Sequence, residues 1–178
     1  MNESVITLGG GCFWCTEAVF QRVRGIGHVE CGYANGHQPA RPDYEAVCSG
    51  ETGYAEVVRV QFDPDIIDLP TVLKIFFATH DPTSLNRQGA DVGTQYRSGI
   101  YTHSAQQQAI AMALVEELQA SGVFPSPIVT EVQALHQYWP AEDYHQNYFA
   151  QHPHQPYCAV VIAPKLEKLA LHLPDWLN

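Results

Sequence analysis

The sequence predicts an α+β fold: a mixed β-sheet with helices packed on it, built on a split βαβ (ferredoxin-like) core with extended loops. Three observations predict it. Segments of strand and helix character follow one another in the order β-α-β-β-α-β, with a further helix and strand behind them. The clearest strand, Tyr54 to Phe62, alternates: Val58, Val60 and Phe62 share one face, and Arg59 and Gln61 take the other. No internal repeat or linker breaks the 178 residues, a length that suits one domain over 1–178 with a sizeable core.

The elements follow in order. Residues 4 to 8 read as the first strand and 12 to 23 as the first helix, stopped by Gly25 and Gly27. His28 to Tyr33 reads as the second strand. Ala34 to Asp43, A-N-G-H-Q-P-A-R-P-D, carries the turn residues of a loop, and Tyr44 to Cys48 is a short ordered piece. After the strand at 54 to 62, Asp68 as cap and Pro70 in the first turn launch a helix from Leu69 to about His80. Asp81 to Ser98 is a long polar run without helical or strand period. Loops of that length inside a domain are usually functional, and Pro82, Gly89 and Gly93 fit a fixed one. Gly99 to Thr102 reads as a strand, and Ser104 caps a helix to Ala120 that Ser121-Gly122 ends. A strand from Ile128 to Leu135 and a helix from Ala141 to Ala150 follow. Then come an extended Gln151 to Pro156, an apolar Tyr157 to Ile162 and a last helix from Leu166 to Leu171.

Composition excludes several function classes. A formal charge of −10 argues against nucleic acid or an anionic membrane as partner, since both need a basic footprint. No apolar run approaches a membrane-spanning length, and Met1 to Ser4 lacks the basic start of a secretory leader. Five cysteines, at 12, 15, 31, 48 and 158, are an odd number spread widely. They fit a reducing, cytoplasmic setting where thiols work better than a secreted disulfide scaffold.

The chemistry concentrates at Gly9 to Phe20, G-G-G-C-F-W-C-T-E-A-V-F. Cys12 and Cys15 fall in the first turn of the first helix, where free N–H groups and the helix dipole favour a thiolate. Phe13 and Trp14, wedged between the thiols, make a reactive, substrate-facing thiol the better reading than two buried small residues. Glu56 has the same parity as Val58 and Val60, so it points to the core side or lies just beyond the sheet edge in water. If buried, it stays protonated near neutrality. A metal is not expected: His152-x-His154 and the C-x-x-C pair lack a second ligand pair at the spacing a structural zinc site uses.

These pieces resemble one family. G-C-F-W at Gly11 to Trp14, G-Y-A-N-G at Gly32 to Gly36, Y-E-A-V-C at Tyr44 to Cys48 and E-T-G-Y-A-E at Glu51 to Glu56 come first. H-D-P-T at His80 to Thr83, Q-G-A-D-V-G-T-Q-Y-R-S at Gln88 to Ser98 and A-E-D-Y-H-Q-N-Y at Ala141 to Tyr148 complete the set. In this order, over nearly the whole chain, the sequence is similar to the A-type peptide methionine sulfoxide reductases, which repair the S epimer of oxidised methionine. The resemblance implies that Cys12 is the nucleophile and that Phe13 and Trp14 form an apolar pocket for the substrate methyl. It implies that Glu56, Tyr44 and Tyr96 hold the sulfoxide oxygen with Glu56 as proton donor, that Asp91 supports the site, and that Cys158 is a recycling cysteine. The chain departs from the family at Tyr54, usually His, and at Cys15, often Gly.

The residue chemistry agrees. A sulfoxide oxygen turns basic as its bond to sulfur breaks, so the site needs a neutral acid and O–H donors, which a buried carboxyl and two phenols provide. Cys12 ends as a sulfenic acid that a second thiol condenses to a disulfide, and thioredoxin, or dithiothreitol in its place, reduces it without metal or organic cofactor. Two thiols qualify as the resolving partner. Cys15 lies one helical turn away, and Cys158 lies in a Pro-rich tail that must swing or already cover the pocket. The reading favours Cys15 first and Cys158 as carrier of the disulfide to thioredoxin. A general disulfide oxidoreductase and a thiol sensor are the competing classes, and neither needs Glu56, Tyr44 and Tyr96.

Overall fold

A computed structural model describes residues 4–178; Met1 to Glu3, part of the stretch Met1 to Ser4 read above as lacking a leader's basic start, lie outside the described residues. Strand β1 (Ser4–Gly9) puts Ile6 and Leu8 into the core. The chain then turns through Gly11 at φ +94°, where a Cβ would come within 2.7 Å of the Gln88 side chain, so only glycine lets the two segments meet. Helix α1 (Phe13–Phe20) is buried on nearly every side. It stops three residues before the expected Val23, because Val23 pairs with Leu177 and the Arg24 N–H donates to the Trp176 carbonyl, committing the chain to the C-terminus.

Strand β2 (Ile26–Ala34) leads through the expected loop to α2 (Tyr44–Cys48), capped by Asp43, whose carboxylate accepts the Ala46 N–H at 2.7 Å. Strand β3 (Ala55–Phe62) and helix α3 (Leu69–Ala78) follow, the latter capped by Asp68 through the Thr71 N–H. The polar run to Ser98 is folded: β4 (Arg87–Gln88) and β5 (Asp91–Val92) form a small hairpin, and Thr94–Tyr96 is a 3₁₀ turn. Strand β6 (Gly99–Thr102) precedes α4 (Ala105–Ser121), which Gly122 ends in the left-handed region.

Strands β1, β2, β3 and β6 pair antiparallel in the order β6-β1-β3-β2. Because β3 runs against both β1 and β2, those two are parallel with β3 threaded between them, which is the expected split βαβ. The edges are closed by β7 (Glu131–Ala134), parallel to β6 and shorter than the expected 128 to 135, and by β8 (Tyr138–Pro140), antiparallel to β2. The sheet is therefore mixed. Buried side chains of α1, α3 and α4 share one core with Ile6, Leu8, Val58, Val60 and Ile100; the opposite face carries only a small patch around Ala55, Val57 and Tyr101.

The helix expected over Ala141 to Ala150 is absent. A 3₁₀ turn at Asp143–His145, Asn147 in the left-handed region at φ +59° and a four-residue helix α5 (Tyr148–Gln151) take its place. The reason is that successive side chains are pulled different ways. Glu142 accepts the Tyr33 hydroxyl and the Tyr44 N–H, while Gln146 both accepts the Cys31 N–H and donates to the Cys31 carbonyl, acting as a backbone partner for the edge of β2. The tail differs too. Cys158–Ile162 forms a π-helical turn running into α6 (Ala163–His172), whose Leu166 and Leu169 reach the main core.

Candidate active site

The site forms where β1 ends, α1 begins and β3 starts. Cys12 is the N-cap of α1, 7% exposed, and its carbonyl accepts the Cys15 N–H. Register places Glu56 opposite Tyr33 on the helix-bearing face, 1% exposed, which decides for the core side over a position in water. One carboxyl oxygen accepts the Phe13 N–H at 3.2 Å, an N–H that the start of α1 leaves without a helical partner. The other oxygen has no partner among the described residues. Burial, then the charges of Asp91 and Cys15, push this carboxyl up to about 8 against the single Phe13 bond, so Glu56 is a neutral acid at pH 7 beside the thiol.

The thiols differ from the helix-dipole expectation. Burial raises Cys12 well above the usual thiol value, and contact with Cys15 and Glu56 adds to it. Cys15 is instead lowered to about 7: the interaction with the Cys12 thiol outweighs burial, and the Lys165 charge and Tyr157 hydroxyl help. In the reduced protein Cys12 keeps the proton and Cys15 is the readier thiolate. The dipole loses because Cys12 faces a carboxyl and a second thiol in a nearly dry corner.

Around this pair stands an aromatic wall. Phe13 is 1% exposed and tilts against Tyr33, with ring centres 5.7 Å apart. Trp14 stacks on Tyr148 at 3.8 Å and 7°, and its indole N–H donates to His145 Nδ1 at 3.1 Å. Tyr44, from α2, stacks loosely over Phe13 and Trp14 at 6.2 and 6.4 Å. Tyr44 and Tyr96 are half-buried, and burial followed by Glu56 raises both phenols, so they remain O–H donors. Gln95 seats the turn that carries Tyr96 by donating to the Cys48 carbonyl at 3.2 Å.

Asp91 is brought in from the hairpin, where it accepts the Tyr157 hydroxyl at 2.7 Å; that hydroxyl lies 3.6 Å from Cys15 Sγ. Cys158 is 0% exposed in the π-helical turn, and burial raises its thiol. It packs in the core that holds α1, not on an extended tail. Among the described residues all five cysteines are free. Cys31 is buried, its thiol directed at the Phe13 carbonyl, and Cys48 is exposed on α2. His80 of the H-D-P-T stretch is structural. Its Nδ1 donates to the Phe76 carbonyl, its Nε2 accepts from Ser98, and burial lowers it to about 4.

Cys12, Phe13, Trp14, Cys15, Tyr44, Glu56, Asp91 and Tyr96 thus converge on one corner, and Cys158 lies in the core that also holds α1. Sequence reasoning missed Tyr157, His145, Tyr148 and Glu17. Glu17 alone carried a signal, as the one carboxylate in the apolar run F-W-C-T-E-A-V-F. The others sit in segments read as regular helix or tail, where a period names no partner.

A corner of this kind, a thiol under a neutral acid with a second thiol one turn away, passes an oxygen or a disulfide through sulfur; the class is a thiol-dependent oxidoreductase. Comparison narrows it. The family model described as peptide methionine sulfoxide reductase matches residues 4–175. The peptide methionine sulfoxide reductase MsrA of Trichodesmium erythraeum is 56% identical over 173 residues, covering 97% of each protein. Among solved structures, reduced Mxr1 from Saccharomyces cerevisiae superposes with a TM-score of 0.79 at 36% identity, over 86% of this chain and 87% of that one. Mxr1 in complex with Trx2 matches with a TM-score of 0.56 at 26% identity, over 82% and 84%. The chain belongs to the peptide methionine sulfoxide reductase family.

Proposed function

We propose that the chain reduces methionine-(S)-sulfoxide, in proteins and as the free amino acid, to methionine through a sulfenic acid on Cys12, as one catalytic domain over 1–178. The observation that carries this reading is the buried Glu56 carboxyl, neutral at pH 7, anchored by the Phe13 N–H, with one oxygen unpartnered among the described residues beside Cys12. Cys12 sulfur attacks the sulfoxide sulfur while Glu56 protonates the oxygen, and Tyr44 and Tyr96 donate to the same oxygen. The oxygen passes to Cys12 as S–OH, methionine leaves, and the former thiol proton of Cys12 replaces the one Glu56 gave. Phe13 and Trp14 hold the substrate methyl.

Cys15 then attacks the sulfenic sulfur, releasing water and forming a Cys12–Cys15 disulfide. Its lowered value of about 7 makes it the better thiolate at neutral pH, and Tyr157 and Asp91 hold it in place. Cys158 next attacks Cys15, freeing Cys12, and thioredoxin reduces the Cys15–Cys158 bond. The Mxr1 complex with Trx2 supports thioredoxin as the reductant. The need for free thiols supports a cytoplasmic setting, and among the described residues no helix is long and apolar enough to cross a membrane.

A single-turnover experiment tests this. Reduced protein mixed with one equivalent of a methionine-(S)-sulfoxide peptide should yield one methionine and lose two thiols. Methionine formed without thiol loss, or no methionine even with excess dithiothreitol, would overturn it.

A further inference from the structure

A cavity of about 760 Å³ is lined by the end of α3, the H-D-P-T loop, the loop after α4 and one face of α6, a volume that suits a small organic molecule. None of the residues assigned above to the catalytic corner lines it. Its walls are apolar at Phe124, Pro125, Pro164, Leu169 and Leu173. Most of its polar side chains are already engaged. Thr79 donates its hydroxyl to the Ile75 carbonyl, and His80 uses both ring nitrogens, on Phe76 and Ser98. Gln88 spends both ends of its amide on the Asp81 backbone. Asp81, the acid of the lining, accepts the Thr83 N–H and hydroxyl on one oxygen and the Ser84 hydroxyl on the other.

That leaves Lys165, Lys168 and His172, whose side chains make no hydrogen bond or ion pair among the described residues. They stand at i, i+3 and i+7 on α6 and so share one face, while Glu167 falls outside the lining. Two of the chain's three lysines therefore border one cavity in a protein of net charge −10. Apolar walls whose free polar groups are all of the cationic type suit an anion carried on an apolar body.

We propose that this cavity is a second binding site, for a small amphipathic carboxylate, and that its occupancy reaches the thiols through Lys165. That lysine belongs to both places: it borders the cavity, and its charge helps to lower Cys15. Around Cys15 stand the Cys12 and Cys158 thiols, the Tyr157 hydroxyl, the Asp91 and Glu56 carboxyls, and Lys165, the one cation of the set. A carboxylate against Lys165 offsets that cation, so Cys15 holds its proton more tightly when the cavity is filled. Neither the binding nor the Cys15 proton depends on the sulfoxide reading.

The test adds octanoate to the reduced, full-length protein and follows the amide resonances of α6. Binding should saturate with a Kd of about 1 mM or tighter. Octanol keeps the body without the charge, and acetate the charge without the body; both should bind at least about fivefold more weakly. Lys168→Met should weaken octanoate about two- to fivefold and leave sulfoxide reduction unchanged. Thiolate ultraviolet absorbance reads the coupling. The other four thiols are raised, so the rise near pH 7 belongs to Cys15 and should vanish in Cys15→Ser. Saturating octanoate should cut the thiolate at pH 7 about twofold. Lys165→Met should show that loss already, with no further change on adding octanoate. No saturation by about 10 mM, or octanol binding as well as octanoate, would overturn the site. Saturable binding that leaves the Cys15 titration unmoved would overturn the route through Lys165.

Discussion

The corner joining β1, α1 and β3 is held by backbone. Leu8 pairs with Val58 and Tyr33 with Glu56 in continuous ladders, and Glu56 is anchored to α1 by a main-chain N–H. The segment from Glu142 to Ile162, which covers the same corner, is held by side chains: Glu142 to Tyr33, Gln146 to Cys31, Glu17 to Asn147, Tyr157 to Asp91. A ladder breaks only as a whole, whereas each side-chain bond is worth a net of about 0.5–1.5 kcal/mol and can be released alone. The difference follows the division of labour. Oxygen transfer needs sulfur, acid and methyl wall fixed to a fraction of an ångström. Recycling needs buried thiols to meet an external dithiol, yet Cys15 is 3% and Cys158 0% exposed. The covering segment must yield, and its construction lets it.

The largest effect belongs to the rigid corner. Cys12→Ser should abolish sulfoxide reduction even with a large excess of dithiothreitol, because Cys12 is the thiol at the N-cap of α1, where it meets the Glu56 carboxyl. Cys31→Ser and Cys48→Ser should retain activity. Substantial turnover by Cys12→Ser would break the comparison by moving the chemistry elsewhere.

Next comes the acid. Glu56→Gln keeps the shape and a donor but not the acidic proton, so the single-turnover rate of methionine formation should drop by about 10²–10⁴. In wild type the neutral acid dominates up to about pH 8 and is lost above it, so the rate should carry a falling alkaline limb that Glu56→Gln lacks. Stability gives a second readout. Between its ordinary value of 4.5 and about 8 the folded state keeps a proton that the unfolded state has released, so folding weakens as pH rises across that window. Urea unfolding should therefore show Glu56→Gln gaining on wild type by up to about 3 kcal/mol between pH 4 and pH 7. A pH-independent difference would mean that Glu56 is ionised in the fold.

Moderate effects are expected in the covering segment. Cys158→Ser should leave the first disulfide and dithiothreitol-driven turnover intact while cutting thioredoxin-driven turnover about tenfold or more, since exchange then needs attack on a buried bond. Cys15→Ser should slow the first disulfide itself. Mass mapping after one equivalent of sulfoxide decides it: a sole Cys12–Cys158 bond, formed as fast in Cys15→Ser as in wild type, would sink the relay.

The same division explains what the sequence made legible. The parity of Glu56 with Val58 and Val60 pointed to the core side, with a place in water as the alternative that its burial excludes, and caps at Asp68 and Ser104 announced helices that form where expected. Such signals are local or periodic, and ladders obey them. Gln146 standing in for a strand, or Tyr157 reaching Asp91 across 66 positions of sequence, leaves no period to read. The Cys12 thiol misled for a related reason. Helix position is visible locally, but the burial and the Glu56 and Cys15 contacts that raise it are properties of the assembled corner.

The smallest effect is expected where the chain departs from its family, at Tyr54. It directly precedes β3, two residues from Glu56, and is 1% exposed, so a tuning role in catalysis would be easy to assume. Its hydroxyl points elsewhere. It lies 2.7 Å from the Gln38 carbonyl and 2.9 Å from Gln137 Oε1, either of which can take its proton, and it accepts the Trp139 indole N–H at 3.1 Å. Its ring fills the space beside Gly36, where a Cβ would come within 2.2 Å. Tyr54 therefore ties the loop after β2 to the turn before β8, and none of its hydroxyl's partners belongs to the site. Tyr54→Phe keeps the ring and leaves the Trp139 N–H without its acceptor, so stability in urea should fall by about 1–3 kcal/mol. The single-turnover rate should stay within about twofold, far from the losses expected when a group takes part in proton transfer. A tenfold slower chemical step in a variant of unchanged stability would reverse the assignment and tie this loop brace to the acid.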